Sequence, residues 1–419
     1  MKLPAFALAA LALSSCKDAS EIIATPLNSQ YADVLSLKEN LPDLPLITSG
    51  VKTIIVPEKP QPYDLYNLID TIRYVRLETW SDCHIDRVDK LVCDAAQMFI
   101  LDKKNHAVYR FSEDGKYLGR IGAYGYGAGE YQDVEDIALD TKARTITLLD
   151  TRGAALLVYD YEGRFVKSMP LYYYFYQIAY IGDKLAQYTY FGNNSRLAPV
   201  DRHQLVISTP EAQGALVPTL AGFPYPESLR DAFHWMSGRP LNAVAGEVFY
   251  HDIRSDTIWE VGKDACRARY CLAFPDKASW VWKGEIDTDE KMNAYFRTTP
   301  HFNGYYTFTK HHMQFSIMQE AKPVTNLLYD RRSGHVLFGD VSRPRGDLFE
   351  YMCCYHFNFS DGEYFYHVLR PADLFRLLAE YAKHPQLKKI QFPPKDRALV
   401  ESLHEDDNPI LVKMKLKAF

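Results

Sequence analysis

The sequence predicts an all-β fold, a six-bladed β-propeller with short helical insertions in its later blades. Three observations carry this. A phrase occurs twice in residues 97–163, its copies stand a fixed distance apart, and weaker echoes return through the rest of the chain. The first copy is Met98-Phe99-Ile100-Leu101-Asp102, then Ala107-Val108-Tyr109-Arg110-Phe111, then Asp114-Gly115-Lys116-Tyr117-Leu118. The second is Thr145-Ile146-Thr147-Leu148-Leu149-Asp150, then Leu156-Leu157-Val158-Tyr159, then Glu162-Gly163-Arg164-Phe165-Val166. Asp102 to Asp150 and Gly115 to Gly163 are both 48 residues apart. Each copy reads as strand, Asp-led turn, strand, acidic-Gly hairpin, strand. A period near this length with three or four strands per unit is that of a propeller blade.

The 419 residues carry a net charge of −5, with 14% aromatics and 30 tyrosines. No Lys/Arg-rich stripe interrupts the mixed charges, so a nucleic-acid partner is not expected. Propellers grow by adding blades, so a chain of this size fits one domain.

Residues 1–16 read as a signal peptide. Lys2 precedes a short apolar run from Pro4 to Leu13, well below the ~18 residues of a spanning helix. Leu13-Ser14-Ser15-Cys16 is similar to a bacterial lipobox, which implies cleavage before Cys16 and lipid attachment to it. Such an anchor holds a chain stably on a membrane. Residues 17–62 are expected to form an extended tether, punctuated by Pro26, Pro42, Pro45, Pro57, Pro60 and Pro62. The propeller is expected over residues 63–419.

Within it, residues 72–79 are a half-buried strand, with Val75 and Leu77 on one face and Arg76 and Glu78 on the other. Between the two copies lies Ile121-Gly122-Ala123-Tyr124-Gly125-Tyr126-Gly127-Ala128-Gly129-Glu130-Tyr131, followed by Asp136-Ile137-Ala138-Leu139-Asp140. Alternating glycines let the backbone turn sharply between one blade's outer strand and the next blade's inner strand. Residues 182–190 would begin blade three. Glu247-Val248-Phe249-Tyr250-His251-Asp252 repeats the first phrase in blade four. Residues 304–308 and 326–340 would belong to blade five, and residues 362–367 to blade six. Residues 330–337 form a hairpin that is either inner or outer. A helix is expected over residues 371–383, with Leu374, Leu377, Leu378 and Tyr381 on one face, and weaker helices over residues 287–296 and 226–236. At the end, Ile410, Val412, Met414 and Leu416 alternate with Lys413, Lys415 and Lys417. That strand is expected beside N-terminal chain, closing the ring and removing its open edge.

The glycine loop ending Gly129-Glu130-Tyr131 and the following Asp136 to Asp140 resemble the blade junction of NHL-type repeats. With the lipobox and the tether, the chain resembles the six-bladed propeller lipoproteins of Bacteroides-type bacteria. That family usually has Pro where Ala128 stands, which implies a looser turn here. The resemblance implies a fold and a cell-surface, outer-membrane location, and brings no catalytic residues.

No catalytic residue is expected from motifs: Walker, G-x-G-x-x-G, H-E-x-x-H and G-x-S-x-G patterns do not occur. Glu130, Asp133, Glu135 and Asp136 can hold Ca²⁺ or be solvated acids, and the second is favoured. No metal and no cofactor are expected. His251 and His367 take equivalent repeat positions, and His311 and His312 point to opposite faces of a strand. Cys83, Cys93, Cys266, Cys271, Cys353 and Cys354 allow bridges or buried thiols. Tyr172 to Tyr176 read as packing between blades. The ligand-binding residues expected are Tyr124, Tyr126 and Tyr131, as aromatics near the central channel that stack on a flat ligand face, with Glu130 beside them. The expected role is binding of a glycan or peptide nutrient, or of a partner protein in an outer-membrane transporter complex. A propeller hydrolase or lyase with an active site at the channel end, and a structural envelope subunit, are the alternatives.

Overall fold

The computed structural model describes residues 41–419 apart from residues 191–193, 195–196, 198–199, 211–215, 230–238, 253, 276–286, 319–324, 340–356 and 384–391. The expected signal peptide, Cys16, Cys353 and Cys354 lie outside the described residues.

Six four-stranded antiparallel units form a ring, and in each the first strand in order lies innermost. Blade one is Lys90–Asp94, Gln97–Asp102, Ala107–Ser112 and Tyr117–Arg120. Blade two is Val134–Asp140, Thr145–Asp150, Ala155–Asp160 and Phe165–Pro170. Blade three is Gln177–Ile181, Lys184–Tyr188, His203–Pro210 and Leu216–Pro224. Blade four is Leu241–Val244, Glu247–His251, Thr257–Val261 and Cys266–Ala273. Blade five is His301–Phe308, His312–Met318, Thr325–Asp330 and Val336–Gly339. Blade six is Phe359–Ser360, Phe365–Leu369 and Ile410–Leu416, completed by Ile69–Arg76 from the N-terminal side. The hairpin at residues 330–337 is therefore an outer one.

Closure is as the alternation of the last strand requires. Ile410 pairs with Arg76, Val412 with Tyr74 and Met414 with Ile72. The strand is the third of its blade, so it has a neighbour on each side, and Leu411 is as buried as Ile410 and Val412.

Blades pack face to face, which explains why the second strands are apolar on both sides. Phe99, Ile100 and Leu101 in succession are 0% exposed. Each of the six clefts between neighbouring blades holds one hydrophobic cluster. The glycines at the 48-residue spacing have a matching cause. Gly115 and Gly163 have φ of 92° and 86°. A Cβ on Gly115 would stand 2.0 Å from the carbonyl oxygen of Arg76, and one on Gly163 2.8 Å from that of Arg120. Each is where a blade's outer hairpin touches the end of the preceding blade's outer strand.

Chain direction gives the ring two unlike ends. At one, the turn end, first strands run into second and third into fourth through connections such as residues 95–96, 141–144, 245–246 and 262–265. At the other, the loop end, the inner strands begin. Residues 121–133, 225–240, 274–300 and 340–358 pass there from blade to blade, and residues 189–202 and 370–409 pass within blades three and six. Asp289–Thr298, Pro371–Ala382 and Pro394–Glu401 lie in these loop-end connections, whereas the one-turn helix Leu65–Leu68 leads into Ile69–Arg76 at the turn end. Asp289–Thr298 is capped by Thr288, whose hydroxyl accepts from Lys291 N–H. Pro371–Ala382 buries Leu374, with Leu377 and Leu378 against the cleft between blades five and six. Pro394–Glu401 is a helix that the sequence pattern does not announce. Of the helix expected over residues 226–236, the described part is a 3₁₀ turn, Glu227–Leu229.

The segment expected to be a tether is extended from residue 41 on, but it belongs to the propeller. Leu46–Ile47 and Lys52–Ile55 add to the outer edge of blade four as parallel strands. Leu44, Ile54 and Val56 are at most 3% exposed. These apolar side chains, spaced among the prolines, make this stretch structural.

Candidate functional site

The loop end exposes the mouth of the central channel. Around it, polar side chains tie each blade to the next. Lys90 Nζ donates to both carboxylate oxygens of Asp136 at 2.8 and 2.9 Å, joining blades one and two. Asp136 Oδ2 also accepts from Ile178 N–H of blade three at 2.8 Å. Gln177 accepts from Leu241 N–H at 2.9 Å, and Asn242 donates to the Tyr306 carbonyl at 3.1 Å. Gln314 accepts from Phe357 N–H at 2.7 Å, and Asn408 from Ile85 N–H at 2.7 Å. The N–H groups of Ile178, Leu241, Phe357 and Ile85 would otherwise lack these partners, so each of those bonds avoids a desolvation cost of about 1–3 kcal/mol.

Arg239, at the entry to blade four, crosses the channel. Its guanidinium donates to the Asp89 carbonyl of blade one at 2.5 Å and the Asn358 carbonyl of blade six at 3.1 Å. It also lies 4.2 Å over the Phe359 ring. Burial pushes its ionisation down to about 10. Beneath it, a cavity of about 20 Å³ is lined by Lys90, Asn242, Thr307 and Ser360 among others. That is room for a water molecule. At the turn end, Gly362 of blade six touches Ala245 of blade four closely enough that a Cβ would stand 2.5 Å from the Ala245 side chain.

The carboxylates of the mouth are engaged. Glu135 accepts from Lys103 Nζ at 2.6 Å, and burial holds its carboxyl above the usual range. Asp89 accepts from Lys103 N–H at 2.8 Å and pairs with Arg87 at 2.7 Å. Burial lowers the Lys90 ammonium, and Asp136 opposes that shift. Polar groups so arranged give hydrogen-bonding positions of fixed direction, suited to recognition.

The glycine loop sits at the same end but nearer the rim than the channel. Gly122 lies against Tyr159, and Gly129 against Phe165 of blade two's outermost strand. Tyr124 and Tyr126 are 54% and 80% exposed. Tyr131 is 1% exposed in the cleft between blades one and two, beside Tyr159 and Ile121. Its apolar ring completes that core, which removes it from the expected aromatic surface. Glu130 turns back on its own loop and accepts from Gly127 N–H at 2.8 Å. This contact closes the turn that holds Ala128. The loop lies over blade two's outer half because its first and last glycines are needed for contact with those rings. Tyr305, 50% exposed, lies on the inner strand of blade five, His301–Phe308.

The remaining expectations resolve individually. Asp133 lies 3.6 Å from His106, and Asp136 and Glu135 face lysines, so the acidic run is divided among separate partners. Among the described residues no three His, Cys, Asp or Glu side chains stand in a metal-binding group. Tyr173, Tyr174 and Phe175 are core residues, and the Tyr173 hydroxyl donates to Gln187 at 2.8 Å. Cys83, Cys93, Cys266 and Cys271 are free thiols, with Cys83, Cys93 and Cys266 pushed up to about 12 by burial. His251 is buried against Phe302, and His312 stacks on Phe419.

Sequence reasoning missed Lys90, Arg239, Gln177, Asn242, Gln314 and Asn408. For Lys90, Gln177, Arg239 and Asn242 the signal present is a polar residue at or beside an inner strand's start, and for Gln314 and Asn408 one on or beside a later strand, all without the fixed spacing that marked the outer hairpins.

A model of the family described as a domain of unknown function, DUF4934, matches residues 51–415. A search of curated proteins returns no match. Among solved structures, a Bacteroides fragilis protein described as a candidate exported protein is similar at TM-score 0.68 and 17% identity. The match covers 88% of this chain and all of that one. A Bacteroides vulgatus member of the DUF4221 family is similar at TM-score 0.43 and 8% identity, over 84% of this chain and 97% of that one. BamB from Moraxella catarrhalis is similar at TM-score 0.35 and 13% identity, over 64% and 68%. Among the described residues no helix is long and apolar enough to cross a membrane.

Proposed function

The chain belongs to the DUF4934 family, and from that premise we propose that it is a lipid-anchored, surface-facing envelope protein that binds through the loop end of its propeller. Its ligand is a nutrient glycan or peptide, or a partner protein of an outer-membrane uptake assembly. The anchor is Cys16, on the strength of the lipobox. The observation that carries the binding role is the concentration of long connections and half-exposed aromatics on one end of the ring. Tyr124 and Tyr126 offer flat apolar faces on the glycine loop, and Tyr305 another on the inner strand of blade five. Binding residues collect on loops held by a rigid scaffold, and tyrosine is favoured at recognition surfaces.

The test has two arms. Cys16→Ala should move the protein out of the outer-membrane fraction, and persistence there after a high-salt wash would contradict the anchor. The full chain should then be screened against oligosaccharides and peptides by calorimetry, with Tyr124→Ala/Tyr126→Ala and Tyr305→Ala alongside. Loss of stacking at ~1 kcal/mol per ring predicts roughly thirtyfold weaker binding for the double variant, with an unchanged melting temperature. Binding unchanged in both variants would move the site away from these rings.

A further inference from the structure

At the mouth of the channel four cations face three carboxylates, and the odd one is Arg239. Lys90 pairs with Asp136 at 2.8 Å, Arg87 with Asp89 at 2.7 Å and Lys103 with Glu135 at 2.6 Å. Asp136 and Asp89 are the carboxylates that oppose the effect of burial on Arg239, and both are already matched. The two hydrogen bonds of the Arg239 guanidinium end on neutral oxygens, the Asp89 and Asn358 carbonyls. Among the described residues no carboxylate pairs with it.

Arg239 is half-buried, so water screens its charge only in part. A charge withdrawn from water is costly unless an opposite charge or hydrogen bonds replace its hydration. Two carbonyls and the face of Phe359, 4.2 Å away, supply part of that replacement. The remainder shows in the ionisation, which burial pushes down to about 10 and which leaves the group charged at neutral pH. Lys90 feels the same excess. Burial lowers its ammonium first, and Arg239 lowers it further against the pull of Asp136.

The cavity beside the guanidinium has the size and the lining that the missing charge needs. Its volume of about 20 Å³ exceeds the ~10–15 Å³ that one water occupies. It lies between the inner strands of blades one, four, five and six. Lys90, Asn242, Thr307 and Ser360 line it with Arg239, and no Asp or Glu does. Lys90 donates two of its three ammonium protons to Asp136, which leaves one. The Ser360 hydroxyl oxygen accepts from Gly362 N–H at 2.9 Å, so its own proton is left to donate. We propose that this cavity is an anion site that takes a single halide ion, chloride in ordinary salt solution, opposite Arg239. The volume selects a monoatomic ion over an oxyanion such as phosphate. Water fits the space too, but brings no charge. Held by donors from several blades, the ion ties the hub of the ring together.

Sodium bromide is the probe, applied to the full chain in detergent and compared with sodium gluconate at equal ionic strength. Gluconate is too large for the cavity. Two results are expected in the parent. The melting temperature should be about 2 °C higher in bromide. Crystals soaked in bromide should show an anomalous bromine signal within hydrogen-bonding reach of the Arg239 guanidinium. Arg239→Gln removes the charge and should abolish both, whereas Arg164→Gln, at an exposed ion pair on blade two's outer hairpin, should keep both. Should Arg239→Gln fail to fold, the two parent readouts decide alone. A cavity that holds only water, with Arg239 in place, would overturn the proposal. So would a crystal signal with no bromide effect on melting, which is binding at crystal concentration only. A melting shift that survives in folded Arg239→Gln would overturn it as well, since the halide would then act elsewhere.

Discussion

At the turn end of the ring the chain reverses in a few residues, and at the loop end it spends whole helices doing the same. Residues 95–96 suffice to join the first two strands of blade one, whereas residues 370–409 join the second and third of blade six. The turn end is fixed by local backbone rules, with left-handed residues such as Ala95, Ala96, Ala245 and Gly246 at the tips. The loop end is fixed by single polar side chains that bridge blades: Asp136, Gln177, Asn242, Gln314 and Asn408. One end is thus a scaffold that repeats, and the other a surface on which each blade differs. Difference between blades is what a binding site for an irregular ligand requires.

The comparison presumes a closed ring, and opening it should have the largest effect. Removing residues 410–419 strips the third strand from blade six and leaves Ile69–Arg76 without its neighbour. Loss of the cooperative unfolding transition, a cost above about 5 kcal/mol, is expected in a urea titration. A transition close to the parent's would mean that the ends do not hold the ring together.

A smaller loss should follow from Asp102→Ala. Its carboxylate accepts from Asp86 N–H at 2.8 Å, Lys104 N–H at 3.0 Å and the Asn105 amide at 2.9 Å, ordering two loop-end segments. Asp150 does the same for Gln132, Asp133 and Gly153. Each alanine variant should lose about 2–4 kcal/mol. Agreement between the two would show that loop-end order still rests on the repeat, and a negligible loss in either would break that link.

Acid should not distinguish the ends. His251 at the loop end and His312 at the turn end are both pushed down to about 4, by burial first. Each folds neutral, so the unfolded state takes up more protons below pH 6.5. Stability held above that pH should therefore fall as pH drops from 6.5 towards 4, by about 2 kcal/mol per histidine at pH 5. Urea midpoints at pH 7 and pH 5 check this. His251→Gln should show less pH dependence than the parent, and equal dependence would place the acid sensitivity elsewhere.

The smallest expected change is a gain. Ala95 and Ala96 both sit at positive φ, 50° and 60°, in a two-residue hairpin that favours Asn-Gly. Ala95→Asn/Ala96→Gly should stabilise the protein by about 1 kcal/mol. A loss on thermal unfolding would show that these methyl groups contribute contacts that outweigh backbone strain.

Legibility in the sequence followed the same division. The Asp and Gly residues spaced by 48 were readable because every such turn makes the same local demand: Asp102 and Asp150 order turns, and Gly115 and Gly163 give way to a carbonyl. The final strand was readable from its alternation. Tyr131 was misread because an aromatic beside glycines looks exposed, whereas the chain re-enters the cleft at that residue. The segment beginning at residue 41 was read as tether because its prolines hide the buried Leu44, Ile54 and Val56. Arg239 and Lys90 gave no signal, since their partners are brought close only by closing the ring.

The most direct test of the two-ended account is a pair of titrations with whichever oligosaccharide or peptide the screen finds to bind. One uses Tyr124→Ala/Tyr126→Ala at the loop end, and the other Glu113→Ala/Glu162→Ala, two exposed acids on turn-end hairpins. The account predicts about thirtyfold weaker binding for the first pair and parent-like affinity for the second. Weakened binding in the turn-end pair, with the loop-end pair unchanged, would contradict it.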